Sequence, residues 1–373
     1  MEYSVSRTDL YKALQKVMTV VPSKTTLPIL SNILMKAEGS SLVLTATDLE
    51  ISVTTSVPAE VIEPGATTIS ARTFNDLIRE LPDVGLRITC DQSQRLTITT
   101  DRGTYALAAQ AAEDYPTITA EEYENEFTIE PDVLERVIER SVFAVSTDQL
   151  RPALSGVYFQ VFPSELRLVA TDGHRLSKVV YRKGNLSNSE SSAIIPPKAL
   201  QAAQKSIEEG VAQIRVNIAR NHIVFRSDAT EVCAKLIDQE YPNYERVIPT
   251  NNDKIMIIDR SELISVLRRV AIFSSTMTHQ VRFDIERNLL TISSEDIEIG
   301  GEGRESIAIE YVGEPLKIGY NANYLIEILR HIDTQLARFE LRDSMSAALI
   351  RPTEQSENEE FLALVMPIRL TEE

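Results

Sequence analysis

The sequence predicts an α+β protein made of three repeats, each with two helices packed on antiparallel sheets. The first observation is an internal repeat: residues 42–48 (Leu-Val-Leu-Thr-Ala-Thr-Asp) recur as residues 166–172 and, more weakly, as residues 290–296. The aspartates that end these segments, Asp48, Asp172 and Asp296, are evenly spaced along the chain. The second observation is that helical and strand-like patterns follow in the same order in each repeat. A fixed period of this kind decides the architecture.

A helix is predicted after the first strand of every repeat, over residues 8–20, 131–143 and 261–273. Apolar residues three and four positions apart line one face of each segment, as in a helix that packs on a sheet. Capping residues or an early proline mark the three starts: Ser6 with Asp9, Pro131 after Glu130, and Asp259 with Glu262.

A second helix is predicted to close each unit after an extended run, over residues 70–81, 197–207 and 321–332. The remaining segments alternate apolar and polar residues or are rich in β-branched ones, and they are predicted strands. Turn formers and charges cluster near residues 121–124 and 249–253. We therefore predict three domains, residues 1–122, 123–249 and 250–373.

Composition indicates a globular protein with an acidic surface. The chain has 373 residues, 43% of them hydrophobic and 25% charged, which suits two or three ordinary domains. The net charge of -17 is atypical of a protein that coats nucleic acid by bulk attraction, because such domains are usually basic. A DNA function would therefore have to be local or topological.

Nothing in the sequence indicates a metal, a cofactor or a membrane. Cys90 and Cys233 lie far apart and form no CxxC pair, so neither a disulfide framework nor a thiolate zinc site is predicted. No stretch approaches the roughly 18 apolar residues that a membrane helix needs. The first residues show no basic segment followed by an apolar one, so we expect a cytoplasmic protein.

Several motifs together resemble the β sliding clamp of bacterial DNA polymerase III, and the resemblance covers the whole chain. They are residues 27–32 (Leu-Pro-Ile-Leu-Ser-Asn), 45–50, 64–67, 170–176 (Ala-Thr-Asp-Gly-His-Arg-Leu), 241–244 and 365–370 (Val-Met-Pro-Ile-Arg-Leu). The resemblance implies a non-catalytic processivity factor built from DNA-clamp domains. Two molecules would join head to tail into a ring of six such domains, with helices lining a hole for duplex DNA.

Positions early in the second helices hold a hydrogen-bond donor in every repeat, namely Arg72, Lys198 and Asn321. A ring that encircles DNA needs only weak, sequence-independent phosphate contacts. With the resemblance, the predicted DNA-contact set is Lys24, Arg72, Arg79, Asp148, Gln149, Lys198, Lys205 and Asn321, with Arg268 and Arg269 as further candidates. Pro152 and Ala153 stand where some family members carry two aromatic residues, which argues against base stacking there.

The resemblance also implies a groove between the second and third repeats that binds short apolar-tipped motifs. Its partners would be the replicative polymerase catalytic subunit, the clamp loader and other proteins with clamp-binding motifs. Apolar residues would hold the anchors and arginines the peptide polar groups. By position the groove comprises Leu154, Thr171, Gly173, His174, Arg175, Leu176, Pro242, Arg246, Val247, Tyr324, Met345, Leu364, Val365, Met366, Pro367, Ile368 and Arg369. Residues 371–373 would acidify its rim.

The resemblance places the dimer interface between the first repeat of one molecule and the third repeat of the other. Tyr105 and Leu107 would pack against Ile272 and Phe273. Acidic residues at Glu295, Asp296, Glu298 and Glu302 would face a basic residue such as Arg102.

Two other function classes are weighed against this hypothesis. A hydrolase could use Asp172 and His174 with a serine such as Ser155, but the sequence has no G-x-S-x-G elbow, phosphate-cradling loop or histidine metal pair. The second alternative is a ring-like protein-interaction scaffold that never encircles DNA.

Overall fold

A computed structural model describes residues 1–118, 125–208, 210–296 and 300–370. The described ranges contain three pairs of α-helices, which match the three predicted pairs and confirm the α+β fold class. The junction predicted near residues 121–124, the acidic residue Glu298 and residues 371–373 lie outside these ranges. The helices are α1 (Arg7–Val17), α2 (Ala71–Glu80), α3 (Pro131–Val142), α4 (Pro197–Lys205), α5 (Arg260–Val270) and α6 (Ala322–Arg330).

The helices begin at the predicted caps and end earlier than predicted. Ser6 Oγ accepts the backbone N–H of Asp9 at 3.4 Å, and Asp259 Oδ1 accepts that of Glu262 at 2.9 Å. Helix α1 stops at Val17, although the apolar pattern continues to Val20. Val20 is fully buried from the turn after the helix. At Val20 the apolar pattern therefore indicates a buried side chain and not a helical backbone.

The strands pair in antiparallel sheets. The first repeat contributes β1 (Glu2–Ser6), β2 (Asn32–Glu38), β3 (Ser41–Thr47), β4 (Ile51–Pro58), β5 (Glu60–Glu63), β6 (Gly65–Ser70), β7 (Gly85–Cys90), β8 (Arg95–Thr99) and β9 (Thr104–Gln110). The second contributes β10 (Asn125–Ile129), β11 (Val157–Phe162), β12 (Glu165–Thr171), β13 (Arg175–Arg182), β14 (Ser191–Ile195), β15 (Ile214–Ile218), β16 (His222–Arg226) and β17 (Thr230–Lys235). The third contributes β18 (Lys254–Asp259), β19 (Gln280–Glu286), β20 (Leu289–Asp296), β21 (Gly301–Ala308), β22 (Glu310–Tyr311), β23 (Leu316–Asn321), β24 (Leu336–Leu341), β25 (Ala348–Pro352) and β26 (Glu359–Val365).

The chain forms two compact units. The first comprises residues 1–135 and 195–237 and holds a sheet in the order β10-β15-β16-β17-β4-β3-β2-β6-β9-β8-β7-β1-β5. The second comprises residues 136–194 and 238–373 and holds the sheets β14-β11-β12-β13-β26-β25-β24-β18-β22 and β21-β20-β19-β23. In each unit, strands of two successive repeats share one sheet. The division into domains 1–122, 123–249 and 250–373 stays a prediction.

The helices of each unit bury one face on the sheets. In the first unit Leu10 and Leu14 of α1 are fully buried, as is Phe74 of α2. In the second unit Leu263 of α5 and Leu325 of α6 are fully buried. Each such side chain contributes roughly 1.5–3 kcal/mol through removal from water. The opposite helix faces stay exposed to solvent.

The repeated Thr-Asp motif forms the same turn in the first two repeats. Asp48 Oδ1 accepts the backbone N–H of Glu50 at 3.0 Å and that of Ile51 at 2.8 Å. Asp172 Oδ1 accepts the N–H groups of the equivalent residues, His174 and Arg175, at 2.8 and 2.9 Å. The repeated aspartate is thus an Asx turn that reverses the chain between two strands.

Candidate functional site

The predicted groove residues gather around the turn between β12 and β13. The backbone N–H of Met366 donates to His174 O at 2.8 Å, which fixes the segment after β26 beside this turn. Further along, Ile368 N–H donates to Gly319 O on β23, also at 2.8 Å. The chain end and the Asp-Gly-His turn therefore form two neighbouring sides of one surface in the second unit.

The groove candidates divide by exposure. Four side chains are buried and support the surface from below: Arg175, Leu176, Leu364 and Val365. Eight candidates are exposed: Gly173, His174, Pro242, Arg246, Val247, Met345, Met366 and Arg369. Five are half-buried: Leu154, Thr171, Tyr324, Pro367 and Ile368. Exposed apolar side chains beside half-buried ones provide a surface that can desolvate an apolar anchor.

Arg175 is the electrostatic centre beneath this surface. Its guanidinium pairs with Asp172 at 3.1 Å and with Glu327, and it donates to Phe143 O at 2.7 Å. It also lies 4.5 Å from the centroid of the Tyr324 ring, a cation–π contact. Arg175 thus links the turn at Asp172 to the Tyr324 ring, and its N–H groups donate to groups within the protein.

Sequence reasoning missed the residues behind Arg175. Phe143, directly after α3, stacks on His331 with ring centroids 4.4 Å apart and an interplanar angle of 11°. Burial lowers the pKa of His331, which favours its neutral imidazole. Glu327 on α6 closes the pair with Arg175. No local sequence pattern signals these contacts, because they join segments far apart in the chain.

Gly319 is a second residue that the sequence did not reveal. A Cβ at this position would lie 2.6 Å from Ile368 O and 2.9 Å from Leu370 Cδ2. The close approach lets the chain end lie against β23. A glycine at this point therefore controls where Met366 and its neighbours stand.

Three predicted DNA contacts are free cations. Lys24 lies in a turn, Arg72 in the first turn of α2 and Lys205 at the end of α4, and all three side chains are exposed. Within the described part of the chain, none of them has a carboxylate within ion-pair distance. All three belong to the first unit. Their charges remain available to an anionic ligand.

Three other predicted contacts already have partners. Arg79 pairs with Glu80 at 3.0 Å and with Asp76 at 3.4 Å, and these carboxylates raise its pKa. Lys198 pairs with Asp48. Asn321 caps α6, accepting from the backbone N–H of Asn323 at 2.9 Å and donating to a carbonyl. The cap is the role of the Asn321 amide oxygen, and the amide nitrogen has a second N–H that can donate to a phosphate.

Asp148 and Gln149, the last two predicted DNA contacts, lie on a loop that the Asp148 carboxylate stabilises. Asp148 accepts the backbone N–H of Leu150 at 3.0 Å and pairs with Arg151 at 2.9 Å, which lowers the pKa of its carboxyl. Gln149 is exposed on the same loop. Pro152 and Ala153 follow in a short 3-10 turn. Gln149 is thus the candidate that this loop presents to solvent.

Two of the predicted dimer residues, Tyr105 and Leu107, lie on β9, and the other two, Ile272 and Phe273, lie in the 3-10 turn after α5. Tyr105 on β9 is 39% exposed and Ile272 is 68% exposed. Strand β9 pairs with β8 over residues 104–108 and with β6 only at its last two residues, whereas β21 is the end strand of its sheet. A Cβ on Gly303 of β21 would lie 2.5 Å from the Phe273 ring. Phe273 therefore packs directly beneath the β21 edge.

The hydrolase alternative lacks a catalytic arrangement. Asp172 Oδ1 is occupied by two backbone N–H groups, and Asp172 Oδ2 faces Arg175. The Ser155 hydroxyl donates to Pro152 O at 2.7 Å within its own turn. Among the described residues, no cluster of three or more histidine, cysteine or acidic side chains could hold a metal.

In the same part of the chain, every helix is too short or too polar to cross a bilayer.

Three family models match successive parts of the chain. The N-terminal domain of the DNA polymerase III beta subunit matches residues 1–119, the central domain residues 128–243 and the C-terminal domain residues 245–369. The beta sliding clamp of Pseudomonas aeruginosa is 34% identical over 372 residues, covering 99% of this chain and 100% of the relative. That of Chlamydia muridarum is 31% identical over 370 residues, covering 99% of each.

Solved structures agree with these matches. A crystal structure of the DNA polymerase III subunit beta from Pseudomonas aeruginosa has a TM-score of 0.93 at 34% identity, covering 99% of this chain and 100% of that one. The beta subunit from Thermotoga maritima has a TM-score of 0.92 at 26% identity, with the same coverage. The similarity extends over the whole fold.

Proposed function

The chain belongs to the family of bacterial DNA polymerase III beta subunits, the beta sliding clamps, and we propose that two copies close around duplex DNA as a ring. As a sliding clamp it is a non-catalytic processivity factor. It holds the replicative polymerase on its template, needs no cofactor and acts in the cytoplasm. Mechanical linkage, and not tight binding, keeps it on DNA.

The observation that carries the ring is a rule of strand pairing between repeats. The fourth strand of the first repeat, β4, pairs with the last strand of the second, β17. In the same way β13 of the second repeat pairs with β26 of the third. Under this rule, two strands in the described part of the chain have no partner from another repeat. They are the fourth strand of the third repeat, β21, and the last strand of the first, β9. Among the described residues β21 is the end strand of its sheet, and β9 has no β6 partner before Ala109, so each has an edge that can pair. A second copy placed head to tail would supply each with a partner.

The same arrangement explains the predicted dimer residues. Tyr105 and Leu107 lie on β9, Phe273 packs beneath β21, and Ile272 is the exposed residue just before Phe273. Joining the two edges brings these four side chains into one apolar cluster. Burial of the exposed Ile272 and Tyr105 then stabilises the closed ring.

The acidic net charge is compatible with DNA encirclement. A sliding protein must contact phosphates weakly and without reading sequence. Lys24, Arg72 and Lys205 are free to make such contacts, and Gln149 is an exposed donor. The net negative charge of the chain would repel DNA outside these contacts.

We place partner binding at the surface around His174 and Met366. Exposed Met345, Met366 and Val247 can hold leucine or phenylalanine anchors of short motifs, and methionine adapts to several shapes. Partners would be the polymerase catalytic subunit, the clamp loader and other proteins that carry such motifs. Because all would use one surface, their binding would be mutually exclusive.

Topological loading separates a clamp from the scaffold alternative. The protein is loaded onto nicked circular plasmid with a bacterial clamp loader and ATP, and the DNA-bound fraction is isolated by gel filtration in high salt. Cutting the plasmid once should release the protein, because a ring slides off an end. An uncut circle treated in parallel is the control. Retention on linear DNA, or loss from the intact circle in high salt, would contradict encirclement.

A further inference from the structure

One ion pair recurs at both junctions between successive repeats. Lys16 pairs with Glu208, and Arg140 pairs with Asp333 at 2.8 Å. Lys16 and Arg140 are the tenth residues of α1 and α3, the first helices of their repeats. Glu208 and Asp333 are the third residues after α4 and α6, the second helices of the following repeats. The same two positions thus form an ion pair at each of the two junctions.

Each basic residue makes a second contact across the junction. Lys16 Nζ lies 3.1 Å from Thr230 Oγ1, and Arg140 lies 3.3 Å from Glu359 Oε2. Thr230 and Glu359 are the first residues of β17 and β26, the last strands of their repeats. The basic side chains are correspondingly enclosed, with exposures of 15% for Lys16 and 11% for Arg140.

The third repeat has a basic residue at the same position, but among the described residues no following repeat supplies the equivalent partners. Arg269 is the tenth residue of α5, and its side chain is 56% exposed. The residue three positions after α2 is Asp83, and the first residue of β9 is Thr104, both exposed. We infer that Arg269 of one copy pairs with Asp83 and contacts Thr104 of a second copy, as the ring-closing form of the same contact.

This inference rests on the proposed homodimer and adds the ion pair that closes it. Arg269 already pairs with Glu305 of its own β21, at 2.6 and 2.7 Å. That pair does not exhaust the guanidinium, which has five donors. Arg140 holds Glu359 and Asp333 at once in the same way.

Asp83 also has capacity left for a second partner. Its Oδ1 accepts the hydroxyl of Thr8 at 2.5 Å, which leaves Oδ2 for a cation. The Thr8 contact orients the carboxylate in the free subunit. Little side-chain entropy is then lost when Arg269 of the second copy arrives.

Charge reversal and charge exchange test the pair. Dimer dissociation is measured by sedimentation velocity over a dilution series for the wild type, Asp83→Lys, Arg269→Glu and the double variant. Each single variant should weaken the dimer on the order of 100-fold, since like charges meet at both interfaces of the ring. The double variant should recover to within about tenfold of the wild type, because the pair forms again with opposite polarity.

Two matched variants control for charge alone. Asp76→Lys and Arg330→Glu make the same charge changes at exposed helix positions and should leave the dimer unchanged. Glu305→Gln should not weaken the dimer, because it releases Arg269 toward the second copy. Circular dichroism confirms that each variant is folded.

The outcomes separate the ion pair from the homodimer itself. Wild-type protein that stays monomeric at micromolar concentration would overturn the proposed ring and this inference with it. A dimeric wild type with unaffected single variants, or a double variant as weak as the singles combined, would overturn the ion pair alone. A weaker dimer in Glu305→Gln would assign the interface role to Glu305 and also overturn the pair.

Discussion

The Tyr320 hydroxyl is buried without a hydrogen-bond partner among the described residues, so its removal should stabilise the protein. The ring is fully buried on β23 and packs edge-on against Phe283, with centroids 5.4 Å apart. The other repeats place Ile69 and Ile195 two residues before their second helices, where the third has Tyr320. Tyr320→Phe keeps the ring and deletes only the oxygen.

The magnitude follows from the missing partner. An unsatisfied buried polar group costs about 1–3 kcal/mol of folding free energy. Burial raises the pKa of the Tyr320 phenol above its usual value, so the group stays neutral and carries no charge effect. Deleting one atom forfeits only a few dispersion contacts, each about 0.1–0.2 kcal/mol. We expect Tyr320→Phe to raise the free energy of unfolding by about 1 kcal/mol.

Urea unfolding at one fixed protein concentration measures this change, because dimerisation makes stability depend on concentration. Tyr311→Phe is the matched control in the same repeat. Its hydroxyl donates to Glu314 O at 2.7 Å, so its loss should lower stability by about 1 kcal/mol. If Tyr320→Phe destabilises the protein as much as Tyr311→Phe does, the Tyr320 hydroxyl has a partner and the reasoning fails.

Three further predictions concern the groove, pH and DNA. Gly319→Val should displace the chain end from β23 and weaken binding of an apolar-tipped peptide at least about tenfold in a fluorescence anisotropy titration, with unchanged circular dichroism. Because burial lowers the pKa of His331, its neutral form stabilises the fold above pH of about 6.5, and this contribution is lost as pH falls through the folded-state value. His331→Phe should therefore lose less stability than the wild type between neutral and acidic pH, measured by urea unfolding. Lys24→Gln with Lys205→Gln should speed the diffusion of loaded protein along DNA in single-molecule tracking, and unchanged diffusion would remove both lysines from the contact set.

The sequence was informative where the physics is local. Periodic apolar residues predicted all three helix pairs, and Ser6 and Asp259 marked two starts because a cap acts within one turn. The excess length predicted for α1 came from Val20, which the core buries without helical backbone. The even spacing of Asp48, Asp172 and Asp296 predicted repeats, and the first two of these aspartates close the same turn.

Long-range contacts set the limit of prediction for the candidate site. Position in the chain assigned Leu176 and Leu364 to the groove, and their burial on the paired strands β13 and β26 is a long-range outcome that position alone does not predict. Asn321 was predicted as a phosphate donor because it matches Arg72, and its place before α6 gives its amide oxygen a capping role that this match does not reveal. The pairing of Arg175 with Glu327 joins distant segments, and no local pattern encodes it.

The strand rule between repeats has a consequence for how such a ring comes apart. In a closed assembly of two chains, four of the six seams are intramolecular, so their strands face each other at high effective concentration whatever the dilution. The remaining two are bimolecular and obey mass action. Dilution or pulling therefore parts the ring only where one polypeptide ends and the other begins, and covalently joining two copies would leave a single place for DNA to enter.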